Sequence, residues 1–355
     1  MKIALMSSWN DCCGIAVHAW LTGYSWLSMG HELLVFAPIR ERPRGRIPMN
    51  VQDEPFVYRN WEMHRLGDKI EDDAPLDLFF DPKALLEEDF EILFVEKPTS
   101  IPISKFSRIF DILKRKARVV AIMHEGRVPA NRRFYDLRWN LATVFDDRFF
   151  NLYGHLLNAD RVSVVPFPCH PVIYGDRHEA RRELNLPLDD YLALAFGIRA
   201  HGLRSIMPVL ERVAKDTGMR LLLLVEHERF RREAEALGKS YDFVHLIYDA
   251  PSFSRLYTYL HASDVLLLHR PAVDYVPISS TVHLCLGALR PILCPDNNFF
   301  YGCDGVLKYS GPADLEAKLR LVLEDGPPEE LLKRAKRYIE EREAKKIARM
   351  LLELA

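Results

Sequence analysis

The sequence predicts an α/β protein of two doubly wound domains in series, and three observations carry that prediction. Short apolar runs alternate with amphipathic stretches along the whole chain, the pattern of strand–helix units around parallel sheets. One move, an apolar run followed by a glycine loop and an amphipathic run, opens the chain (2–6, Gly14, 15–28) and returns at 191–203, YLALAFGIRAHGL. Between the two, residues 162–171 are dense in proline and the rhythm restarts after them, which places a domain boundary there. The length of 355 residues agrees, because single cores stop growing at about 250–300 residues. Residues 1–168 and 169–335 are therefore the expected domains.

In the first half, residues 2–6 read as a strand and 15–28 as a helix with Val17, Leu21 and Leu27 among its apolar positions. Gly30 stops that helix and 33–37 is the second strand, so Gly14 lies at the mouth of a βαβ unit, where open α/β sheets bind ligands. Residues 40–46, RERPRGR, form a basic Pro/Gly loop, either solvated or an acceptor-facing flap. Residues 90–95 are a strand followed by Glu96, Lys97 and Pro98; 105–116 is a helix with a charged wet face. The strand 118–123 ends in His124, Glu125 and Gly126, polar groups at a carboxyl end. Residues 131–140, NRRFYDLRWN, interleave Arg with aromatic residues, an ordinary amphipathic segment or one able to touch a membrane surface or acceptor.

The second half repeats the scheme. After the strand at 191–196, Gly197, Arg199, His201 and Gly202 precede a helix at 204–215. A glycine, cationic side chains and the N–H groups of a helix start are what an anionic phosphate requires. Strands follow at 220–225, 243–247 (leading to Tyr248), 264–268 (ending at His269 and Arg270) and 291–294. Helices are expected at 229–237, 252–261 and 281–289, the last behind the loop 274–280, and 328–354 is helical and heavily charged.

Composition excludes several classes. Apolar residues make up 48% and charged ones 28%, with a formal charge of −2, which gives no global pull toward nucleic acid. No apolar run reaches the roughly 18 residues of a spanning helix, and the start turns polar too early for a signal peptide. Six scattered cysteines without CxxC spacing read as reduced thiols, so the expected location is cytoplasmic. Helices rich in Glu, Arg and Leu hint at a thermophile. The acidic pairs at 72–73, 146–147 and 189–190 read as surface turns, so no metal site is expected.

Five segments together resemble the GT-B glycosyltransferases of the large retaining family GT4. They are GIAVHAWLTGYSWLSMGHELLVFAP (14–38), ARRELNLPLDDYLALAFGIRAHGL (180–203), YLHASDVLLL (259–268), SSTVHLCLGALRPILCPD (279–296) and GPADLEAKLRLVLED (311–325). The resemblance covers nearly the whole chain. It implies two Rossmann-like domains facing a cleft, a nucleoside diphosphate sugar held mainly by the second, and a final helix, 336–355, returning to the first. It gives His124 and Arg199 as catalytic contacts to the transferring sugar and the phosphate. Gly14 matches the glycine that lets backbone approach the donor phosphate. His201 stands where the family has lysine. Gly197, Tyr248, Ser279, Ser280 and Thr281 complete the expected donor contacts, with Asp274, His283, His269 and Arg270 as second-rank candidates.

The chain departs from the family in its donor loop. Two glutamates, one toward the sugar and one toward the ribose, fall at Val276 and Leu284, and the glycine before the proline is Leu289. The hydroxyls and N–H groups of 279–281 still suit a diphosphate. The expected function is metal-independent, retaining transfer of a sugar to a hydroxyl acceptor (glycan, lipid-linked or small molecule). The alternative is a degenerate relative that binds a nucleotide-sugar, or a protein partner, and transfers nothing.

Overall fold

A computed structural model describes residues 1–39, 51–63, 71–197, 202–226 and 230–355, and the backbone alone at 200 and 201. The basic loop expected at 40–46 lies outside the described residues. Two compact units emerge.

The first unit runs β1 (Lys2–Met6), α1 (Gly14–Ser28), β2 (Glu32–Pro38), β3 (Val57–Trp61), α2 (Lys83–Glu87), β4 (Ile92–Glu96), α3 (Ile103–Lys116) and β5 (Arg118–Ile122). It continues through α4 (Arg133–Asp136), β6 (Leu141–Val144), α5 (Asp147–Tyr153) and β7 (Val162–Val164). Its seven strands lie in the order β3-β2-β1-β4-β5-β6-β7, every pair parallel. The central strands are apolar on consecutive residues because both faces of a parallel sheet are covered. Leu5 at the centre lies in register with Val35 on one side and Phe94 on the other, and all three are fully buried.

Helix α3 buries Ile103, Phe106, Phe110 and Leu113, a stripe at helical spacing. Asp73 corrects the expectation of a surface turn at 72–73. It is buried, and its carboxylate accepts from the backbone N–H and hydroxyl of Ser104 and from the Asn131 amide. It thereby satisfies an amide that the first turn of α3 leaves without a helical partner. In the stretch 131–140 only α4 is helical, and Phe134, Leu137 and Trp139 face the core. The arginines remain outside, where Arg133 pairs with Asp72.

The second unit runs α6 (Arg177–Glu183), β8 (Leu192–Ala195), α7 (Ala200–Leu203), α8 (Met207–Thr217), β9 (Arg220–Val225), α9 (Arg231–Ser240), β10 (Val244–Tyr248) and α10 (Phe253–Ala262). It continues through β11 (Val265–Leu267), α11 (Ser280–Cys285) with a 3-10 turn at Leu286–Ala288, β12 (Ile292–Pro295), β13 (Leu307–Tyr309), α12 (Pro312–Arg320) and α13 (Glu329–Glu341). Six parallel strands are ordered β10-β9-β8-β11-β12-β13. The helix expected from 204 starts instead at Met207, because Pro208 is tolerated only in a first turn.

Arg181, fully buried, fixes the first strand of this unit to its neighbours. Its guanidinium donates to the carbonyls of Ala262, Leu188 and Asp190 and pairs with Asp264 at 2.9 Å. Asp264 in turn accepts from the Leu192 N–H at 2.7 Å. Gly305 has φ +73°, and a Cβ there would lie 2.3 Å from Ala335 Cα, so only glycine lets this loop pass the backbone of α13.

The charged run 328–354 is two helices. Helix α13 stays with the second unit through Glu341, past the expected boundary at 336, and the chain breaks at Glu343 in extended conformation. Helix α14 (Ala344–Leu354) belongs to the first unit. It packs on α1, where the Trp26 indole donates to the Ala348 carbonyl at 2.9 Å. Among the described residues, no helix is long and apolar enough to cross a membrane.

Candidate functional site

Each sheet has one place where its strand order reverses, between β1 and β4 and between β8 and β11. Loops leaving the two strands diverge there and open a crevice at the carboxyl ends, the usual ligand site of open α/β sheets.

In the second unit the crevice begins with Gly197, after β8, whose φ of +61° is left-handed. A Cβ at this glycine would have Arg270 Nη2 at 3.6 Å and Thr281 Oγ1 at 3.7 Å. Three loops, from β8, from β11 and into α11, thus meet at one point. Arg270 donates to the Gly197 carbonyl, and its guanidinium lies 4.9 Å over the Phe299 ring. The Asn297 amide holds the Arg270 carbonyl at 2.8 Å. The cation is therefore placed by both backbone and side chain. Ser279 is the N-cap of α11, its hydroxyl accepting from the Val282 N–H, while Ser280 and Thr281 form the first turn.

In the first unit the reversal gathers Ser7 after β1, His18 on α1, Glu96 at the end of β4 and His124 after β5. His18 Nδ1 lies 2.8 Å from Glu96 Oε1, and the Ser7 hydroxyl donates to Oε2 at 3.2 Å. His124 Nε2 is also 3.2 Å from Oε2, near enough for charge attraction but without an aligned hydrogen bond. Phe145 and Phe167 close over both imidazoles, with ring centroids 4.9 Å from His124 and 5.2 Å from His18. Burial pushes the Glu96 carboxyl up, yet the facing histidines outweigh it and hold it at about 2. Burial pulls the His124 imidazole down against the opposing attraction of Glu96.

Beside this group Glu125 accepts from the His124 N–H at 3.0 Å and from the Thr99 hydroxyl. Lys97, in left-handed backbone, has its ammonium pulled down by burial, opposed by Glu125 and Cys13. Gly14 opens α1 directly behind Cys13, whose sulfur accepts from the Ala16 N–H.

No protein-family model matches the chain. Solved structures do. HepE from Anabaena, in complex with UDP-glucose, is 12% identical with a TM-score of 0.66, the match covering 99% of this chain and 98% of that one. Sucrose-phosphate synthase from Thermosynechococcus elongatus is 14% identical with a TM-score of 0.62, over 100% and 98%. The pneumococcal O-GlcNAc transferase GtfA, in complex with UDP and GlcNAc, is 11% identical with a TM-score of 0.59, over 99% and 98%. The fold is GT-B.

Within this GT-B chain the expected residues separate. Gly197, Arg270 and Thr281 come together, with Ser279 and Ser280 adjoining on α11. Arg199 and the His201 side chain lie outside the described residues. Tyr248, on the edge strand β10, has Arg231 over its ring at 4.6 Å. His269 lies between the Ser205 hydroxyl, 3.0 Å from Nε2, and the Tyr309 hydroxyl at Nδ1. His283 is buried, Nδ1 bonded to the Ser279 carbonyl at 2.8 Å and Nε2 to the Tyr338 hydroxyl at 3.2 Å. Asp274 is exposed in the loop before α11. Leu284 is a core residue at 3% exposure. Leu289 keeps a glycine-like φ of +52° although it is leucine. Glu96 and His18 escaped the sequence reading as site residues. Their signals were a carboxylate closing an apolar strand and a histidine on the buried face of an apolar helix.

Proposed function

We propose that the chain transfers a sugar from a nucleoside diphosphate sugar to a hydroxyl acceptor, with retention and without a metal in the transfer step. The observation that carries this reading is the junction of Gly197, Arg270 and Thr281 at the strand-order reversal of the second unit. A left-handed glycine admits close backbone approach, a fixed guanidinium supplies charge, and a hydroxyl stands at a helix start. Together they suit a diphosphate. HepE and GtfA, which share the fold, are described in complex with UDP, UDP-glucose or GlcNAc, and uridine is the first base to test.

Departure of the diphosphate leaves negative charge on oxygen and positive charge at the anomeric carbon. Preorganised donors stabilise the former without reorganising at the moment of reaction. We assign that role to Arg270, Thr281 and the expected phosphate contact Arg199, and keep His124 as the proposed sugar contact. The second reading, binding without transfer, draws on Leu284: a buried apolar side chain stands where the family's hydroxyl-holding glutamate is expected.

Calorimetry separates these. UDP should bind, and Thr281→Val and Arg199→Ala should each weaken it by about 1–3 kcal/mol, the range for hydrogen bonds to charged groups. Transfer with retention requires an α-linked donor to yield an α-linked product by NMR. Binding of UDP-sugars with hydrolysis and transfer both absent would favour the second reading, and no binding at millimolar ligand would sink both.

A further inference from the structure

We propose that His18, Glu96 and His124 form a binding site for a transition-metal dication of the zinc type, one ion per chain, in the first unit. The proposal goes beyond the sugar-transfer reading, with which it shares His124, and its donors come from three different elements around the reversal between β1 and β4.

Donor chemistry is the first support. Two imidazoles and one carboxylate are borderline ligands matched to Zn2+ or Co2+ and poorly matched to Mg2+ or Ca2+. Geometry is the second. Four-coordinate zinc with bonds of about 2.0–2.1 Å sets its ligand atoms about 3.3 Å apart. The two imidazole–carboxylate separations here are 2.8 and 3.2 Å. Each imidazole faces its own oxygen of the Glu96 carboxylate, and all three ligand atoms lie within 4.8 Å of one another. Burial is the third support. The side chains of His18, Glu96 and His124 are 1%, 0% and 6% exposed. His124 Nε2 is aimed at the carboxylate from 3.2 Å yet makes no aligned hydrogen bond. A buried polar atom in that state is costly unless something else satisfies it.

Without metal the same trio closes on itself as an imidazole–carboxylate–imidazole cluster. The ion replaces protons at its centre, and binding releases them.

The test uses the full chain, stripped with a chelator and dialysed, then titrated separately with Zn2+ and Co2+. One equivalent should bind, Co2+ should give the intense visible absorption of a four-coordinate nitrogen–oxygen site, and uptake should release protons. Glu96→Gln and His18→Gln should each weaken binding by about 100-fold or more, beyond the loss that follows removal of a ligand's supporting partner. The exposed control His178→Gln should bind as the parent does. The cobalt spectrum of the unaltered chain decides independently if a variant does not fold. A thiolate charge-transfer band or a weak octahedral spectrum overturns the proposal, as does a folded Glu96→Gln protein with parental affinity.

Discussion

At the scale of single residues, most consequences follow from groups buried with a partner. Arg181 is such a group: besides Asp264, which Arg177 also pairs, it holds the carbonyls of Ala262, Leu188 and Asp190, and truncating it takes this buried donor from all of them. Arg181→Ala should lower unfolding stability by about 3–5 kcal/mol, read by urea denaturation, while Arg212→Ala in an exposed pair should change it by less than about 1 kcal/mol. Glu54 gives a pH dependence of known sign. Burial pushes its carboxyl up, but hydrogen bonds from Tyr24, Trp9 and Asn10 win and hold it below its ordinary value of 4.5. Its contribution is therefore full above the unfolded pKa and is lost as pH falls through the lower folded value. Denaturation midpoints between pH 6 and 3 should fall less steeply for Glu54→Gln than for the parent. At this scale the sequence was least informative. Nothing near Glu96 in the chain announces His18, 78 positions earlier, or His124. Only the order of the strands brings them together.

At the scale of elements, helix and strand existence was legible because parallel strands, covered on both faces, print as unbroken apolar runs such as RLLLLV at 220–225. Boundaries were less so. Pro208 delays α8 by three residues, and the break between α13 and α14 falls in a run of charged residues with no glycine or proline to mark it. The loop before β13 depends on one glycine. Gly305→Ala meets both a left-handed φ and the backbone of Ala335, and it should cost about 2–4 kcal/mol, measured by thermal unfolding of the purified variant. Leu289 shows the reverse case. The turn after α11 keeps the backbone conformation of a glycine through the surrounding fold, so a missing glycine in the sequence did not mean a missing turn.

At the scale of the whole molecule, the two-sheet plan was readable from rhythm alone, since each strand–glycine–helix opening seeds its own sheet and right-handed crossovers leave few alternatives. Chemistry at the reversal points was half legible. Gly197, Arg270 and Thr281 were nameable from sequence, while their meeting was not. Removal of residues 344–355 should loosen the first unit selectively, seen as faster hydrogen exchange in α1 and β2 with exchange in β8 to β13 unchanged. The same helix has a consequence in time. Ala348 follows Trp26 by 322 positions, and at about 5–20 residues per second a ribosome adds it roughly 15–60 s after the indole it must receive. For that interval the nascent first unit carries an open apolar seam on α1, while the whole of the second unit is being made. The chain's early half thus has its sheet complete first and its helical cover complete last.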